Sequence, residues 1–123
     1  MPEPLSAASY AERVDFMVEL AQRLHRYGTT ADRLEGALTA VASQLGLACE
    51  PWSNPTGLIL TFSDPVRATG VRDTTRVLRL SPGEHDLHRL AETDRIAEEV
   101  LAGTLDLSGA LAQMRALDTP PTH

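Results

Sequence analysis

The hydrophobic period of this chain changes twice, and that change limits the folds open to it. Val14, Met17, Leu20, Ala21 and Leu24 recur at spacings of three and four, as do Leu34, Ala37, Leu38, Val41 and Leu45. Both sets are stripes along one side of a helix. In "LILTF" (58–62) and "TRVLRL" (75–80) the period falls to two, with Ile59 and Thr61, then Val77 and Arg79, on the opposite face from their neighbours. The helical period returns with Leu87, Leu90, Ala91, Ala97, Val100 and Leu101, and again with Leu107, Ala110, Leu111, Met114 and Leu117. A short block of strands bracketed by helix pairs predicts an α+β fold in the order ααβββαα. It has a small antiparallel sheet of about three strands, flanked by two N-terminal and two C-terminal helices.

Glycines mark the stops. The first helix is expected from about Ser9 to Tyr27, ended by Gly28; the second runs to Leu45, ended by Gly46 with Leu47 folding back on the last turn. So short a connection makes the two antiparallel. "ACEPWS" (48–53) is a third strand, and Pro51, which cannot donate to a ladder, places it at an edge. Residues 64–74 read as a polar loop. A third helix is expected from about His85 to Ala102, ended by Gly103. A fourth is capped by Asp106 and closed by "TPP" at 119–121. Residues 1–8 are expected to be a disordered tail, 9–118 the domain, and 119–123 a tail or the start of a linker to a membrane region.

Several function classes are disfavoured by the chemistry present. Every one of the 11 basic side chains is arginine, and the net charge is −6, which speaks against nucleic acid as a partner. Aromatics make up only 4%, so the core is expected from Leu, Ala and Val. Cys49, the single cysteine, excludes an internal disulfide and reads as a small buried residue rather than a nucleophile. No G-x-S-x-G turn supports a serine hydrolase. His85 and His88 stand three apart but lack further ligands, so they read as an exposed helix start, with Glu84 and Asp86 favoured there by the dipole. No metal and no cofactor is expected. The N-terminus lacks the basic segment and apolar run of a signal peptide, and no apolar run approaches the ~18 residues of a span, so these residues are expected to be soluble.

Two stretches hold more than a fold requires. In "HRYGTTADRLEGAL" (25–38), Asp32-x-x-Glu35 fits a capping box, with Thr29 or Thr30 as alternative caps. Arg33 has no local role, since a cation at a helix N-terminus is mildly unfavourable; it is expected to reach the sheet or a partner. In "SNPTGLILTF", Asn54-Pro55-Thr56-Gly57 is a turn that leaves the Thr56 hydroxyl at a strand entrance, closing the turn or facing a site. For an amino-acid ligand, Arg33 or Arg76 would meet the carboxylate and Glu35 or Asp32 the amine.

The order of "LHRYGTTADRLEGALTAVASQLGL", "SNPTGLILTFSD", "TRVLRLSPGEHDLHRL", "IAEEVLAGTLDLSGALAQM" and a closing "PP" resembles the hydrophilic N-terminal domain of the threonine/serine exporter (ThrE) family across residues 14 to 121. The Tyr27-Gly28 stop, Arg33-Leu34-Glu35 and the Pro55-Thr56 turn are its most specific parts. Asp32 stands where the family often has His, and Asn54 where it often has Thr. The resemblance implies a non-enzymatic domain on the cytoplasmic side of the cell membrane, engaged in gating, substrate sensing or assembly. Its partner would be the transmembrane portion of the same exporter or a partner membrane subunit. Threonine or serine would be the ligand, a homo-oligomer stays open, and Arg33, Glu35 and Thr56 are the substrate-binding or transport-linked candidates. The chain is expected to be either part of a longer exporter or a protein that lost its membrane part. A hydrolase-like or small-ligand-binding domain working alone is the alternative.

Overall fold

The computed structural model describes residues 9–54, 56–64, 73–80 and 86–118. Helices α1 (Tyr10–Arg26) and α2 (Ala31–Gln44) precede strands β1 (Ala48–Asn54), β2 (Gly57–Ser63) and β3 (Thr74–Arg79), and helices α3 (Leu87–Ala102) and α4 (Leu107–Leu117) follow. This is the expected α+β order, and element ends fall within two residues of the expected ones. The tails at 1–8 and 119–123, His85 and most of the 64–74 loop lie outside the described residues.

Both N-terminal helices end through the same backbone geometry. Thr29 N donates to Leu24 O at 2.9 Å and Leu47 N to Ala42 O at 2.8 Å. Those bonds reach back over the last turn only because Gly28 and Gly46 take φ of 102° and 74°, values that a side chain disfavours. The start of α2 departs from expectation. Thr30 is its N-cap, yet no side chain caps it. No capping box forms, because Asp32 already lies inside the helix and Glu35 turns to the sheet instead.

The sheet is antiparallel in the order β1-β2-β3, so β1 is an edge strand, as Pro51 requires. Leu58, Leu60 and Phe62 of β2 are buried against the helices. Helix α1 packs against α2, α3 and α4, and the Tyr10 hydroxyl ties its first turn to Phe62 O (3.2 Å) and Thr74 Oγ1 (3.0 Å). Phe16 and Phe62 are fully buried beside the leucines, so two of the few aromatics join a core expected from aliphatics. In α3 the buried residues are Thr93, Ile96, Ala97 and Val100, whereas Leu87 is 76% exposed. Ala91 precedes Thr93 by two residues, about 200° round the helix, which turns it outward.

Candidate functional site

The three candidate residues do not converge on one point. Glu35, on the second turn of α2, accepts from Ser53 Oγ (3.1 Å) and Ser53 N (3.3 Å) through Oε2. It thereby fastens the end of β1 to the helix. Next along the chain, Asn54 Oδ1 accepts from Thr56 N (3.0 Å) and from the Thr56 hydroxyl (3.3 Å). Thr56 O in turn accepts from Leu80 N at 2.9 Å. Glu35 and Thr56 therefore belong to one corner, linked through Ser53 and Asn54. Arg33 is exposed and makes no ion pair among the described residues. Its charge acts on Asp94 of α3: burial pushes the Asp94 carboxyl up, and Arg33 offsets part of that rise.

A cavity of about 380 Å³ opens elsewhere, between α1, β3 and α4. Val18, Leu107 and Leu111 give it apolar walls, and Glu12, Asp15 and Glu19 line the α1 side. Their spacing of three and four puts these carboxylates on one helix face. Two guanidiniums face in, Arg76 from the helix-facing side of β3 and Arg115 from α4. Arg115 is committed: its Nη2 lies 2.7 Å from Glu19 Oε2 and its Nε 3.1 Å from Glu19 Oε1. Arg76 and the carboxylates of Glu12 and Asp15 have no hydrogen bond or ion pair among the described residues. Unmatched charge of both signs thus lines one concave surface. Arg76 is one of the two arginines that the sequence suggests for a carboxylate. The acids beside it are Glu12 and Asp15, not Glu35 or Asp32. They stand on the polar side of α1, where a solvated face and a cavity wall have the same sequence.

Cys49 is buried in β1, and burial raises its thiol pKa from 9.0 to about 11, with a smaller push from Glu50. Tyr27 is also raised above 10.0, by burial and then by its hydrogen bond to Asp118. In both cases the folded chain holds a proton that the unfolded chain releases first. The stabilisation is therefore complete below about pH 9 and declines as pH rises through the folded values. A stability profile from pH 7 to 11 is expected to fall only on its alkaline side, and Cys49 is expected to resist the thiol reagent DTNB at pH 8 until the chain is unfolded. Rapid labelling of the native chain would contradict this placement. His88 is exposed, and no cluster of three metal-binding side chains occurs among the described residues.

Sequence reasoning misses the polar site around Arg23 altogether. Arg23, 5% exposed inside the α1 stripe, reaches Asp118 at the end of α4 with Nη2 at 2.6 Å from Oδ2. The Tyr27 hydroxyl donates to the other Asp118 oxygen at 3.1 Å. Its signal was present: Arg23 follows Leu20 by three and precedes Leu24, within the apolar stripe itself.

The family model of the threonine/serine exporter, ThrE, matches residues 15–123, nearly the whole chain. The chain belongs to the threonine/serine exporter family. No curated protein and no solved structure matches it. Among the described residues, no helix is long and apolar enough to cross a membrane. Within this family, then, the described residues supply a helix-and-sheet domain, and the transport context comes from the family.

Proposed function

We propose that this chain acts as the accessory domain of a threonine/serine exporter on the cytoplasmic side of the membrane, a binding and assembly element rather than a catalyst. In this reading the solute route lies in the transmembrane portion of the same exporter or in a partner subunit. The cavity between α1, β3 and α4 takes the small hydroxy amino acid and reports its level to that portion. The observation that carries this reading is the unmatched Arg76 facing the same cavity as the unmatched Glu12 and Asp15. A zwitterion offers one carboxylate and one ammonium, and the walls offer a guanidinium for the first and two carboxylates for the second. Val18 and Leu111 suit a methyl group. Arg33, exposed on α2, is the candidate for contact with the membrane portion; Glu35 and Thr56 hold the corner between β1 and β2.

Binding is expected to be weak. Threonine has about eight non-hydrogen atoms, and roughly 0.5 kcal/mol from each gives about 4 kcal/mol, a Kd on the order of millimolar. Threonine titrated into the labelled chain is expected to shift the amide signals around Asp15, Arg76 and Leu111. Arg76→Ala is expected to weaken that response at least about tenfold, and threonine amide acetylated at nitrogen, which lacks both charges, to produce none. An unchanged spectrum at ~50 mM threonine would overturn the sensing role, as would an Arg76→Ala chain that responds like the parent.

A further inference from the structure

The helices cover one face of the sheet, and the other face carries an apolar row. Trp52, Ile59 and Val77 are directly opposite one another across β1, β2 and β3. Trp52 and Val77 are each 68% exposed and Ile59 is 42% exposed. Single exposed apolar residues are ordinary, but three in contact distance across a sheet, one of them Trp, have the composition of an interface core. On one side the row is bordered by Glu50, Thr61 and Thr75, and on the other by Asn54, Gly57 and Arg79.

We propose that two copies of this chain pack against each other through this face. The partner is identified by where the charges stand. Glu50 on β1 and Arg79 on β3 occupy diagonally opposite corners, with the apolar row between them. Consider a two-fold axis in the interface plane, passing through Ile59 along the other diagonal. It carries each Glu50 onto the Arg79 of the second copy, sets Ile59 on Ile59, and brings the Trp52 indole toward Gly57, the position on that face without a side chain. A surface that is its own complement is what a two-fold dimer needs. The strands of the two sheets then cross steeply, at roughly 70° for these strand spacings, nearer the orthogonal than the aligned sheet packing.

Two other occupants fit less well. An anionic membrane surface is attracted by basic clusters, whereas this face balances one Arg with one Glu in a chain of net charge −6. Edge-to-edge pairing along β1 is blunted by Pro51, which lacks a donor.

The face is small. Three strands about 4.8 Å apart and about six residues long, at roughly 3.3 Å per residue, cover roughly 300 Å². That is well below the ~800 Å² per partner of a standard stable interface, so the dimer forms with a Kd on the order of 100 μM. On the accessory-domain reading proposed above, co-residence in one membrane assembly would raise the effective concentration.

Trp52 is the only tryptophan in the chain, so its fluorescence reports on this face alone. Sedimentation of the 123-residue chain between about 10 μM and 1 mM is expected to show a monomer–dimer equilibrium, with Trp52 emission moving to the blue as the dimer fills. Glu50→Arg and Arg79→Glu are each expected to weaken association about tenfold, and the two together to restore it to within a few-fold. Val77→Ser, with its melting curve checked, is expected to weaken it without any change of charge. A monomer throughout the range overturns the proposal. So does a dimer that leaves Trp52 emission unchanged, or a double charge swap that fails to restore association. A blue shift seen only after adding phosphatidylglycerol vesicles overturns it in favour of a membrane surface.

Discussion

Arg23→Ala is expected to destabilise the chain by about 3 kcal/mol, the largest effect of any charged residue in α1. The reason lies in how fully the guanidinium is used. Its Nε donates to Met114 O (3.1 Å), its Nη1 to Glu19 O (3.0 Å), and its Nη2 to Asp118 Oδ2 (2.6 Å). Met114 O is one of the last four carbonyls of α4, which have no partner within their own helix. A cation there also opposes the negative end of the helix dipole. Truncation removes these three bonds, the longer contact of Nη1 with Glu19 Oε1 (3.5 Å) and the packing of the buried stem at once. Breaking a buried ion pair typically costs 3–5 kcal/mol, and the low end applies because the Asp118 side chain is 34% exposed and water can reach it. For a chain of this length that corresponds to a melting temperature lower by roughly 10–15 °C. Arg23→Lys keeps the charge but not the fork and should lie between the two. If Arg23→Ala melted within a degree or two of the parent, the apolar contacts of α4 and the Arg115–Glu19 and Tyr27–Asp118 contacts would be enough to hold it.

The placement of that arginine shows which parts of the fold were legible in the sequence. Element order and the helix stops were legible because each rests on a local signal: a period of 3.6 or 2, a glycine free to take positive φ, an Asp106 whose side chain accepts from Gly109 N at 2.8 Å. The edge position of β1 followed from one missing donor at Pro51. What a residue does across the fold was less legible. Glu35 sits three after Asp32 and has the sequence of a capping box, yet its carboxylate binds Ser53, 18 residues on. The helix starts at Ala31 with Thr30 as its cap, so the local pairing never forms and a long-range partner takes the group. Arg33 was singled out because no local role explained it, and its electrostatic partner, Asp94, lies on another helix. The cavity is formed by α1, β3 and α4, elements far apart in the chain. Of its charged walls only Arg76 could be named in advance, as one of two arginines able to meet a carboxylate. Arg76 lies on the helix-facing side of β3, and Val77 on the open one.

The second large effect is expected at Arg13 and Asp64, and it is best measured as a cycle. Arg13 Nη2 lies 3.0 Å from Asp64 Oδ2, and the two side chains are only 11% and 6% exposed. Arg13 Nη1 also donates to Leu45 O at 2.8 Å. That carbonyl belongs to the C-cap of α2, so one side chain joins α1, the end of α2 and the end of β2. Removing Arg13 leaves a nearly buried carboxylate without this counter-charge, and removing Asp64 does the same to the guanidinium. Each single change to Ala is expected to cost about 2–3 kcal/mol. The double change removes both charges and leaves neither stranded, so it should cost much less than the two added together, with a coupling of about 1.5 kcal/mol or more. Chemical denaturation of the four chains gives that number directly. Additive losses would mean that Arg13 acts through Leu45 O and its packed stem, and that its contact with Asp64 contributes no more than an exposed pair does.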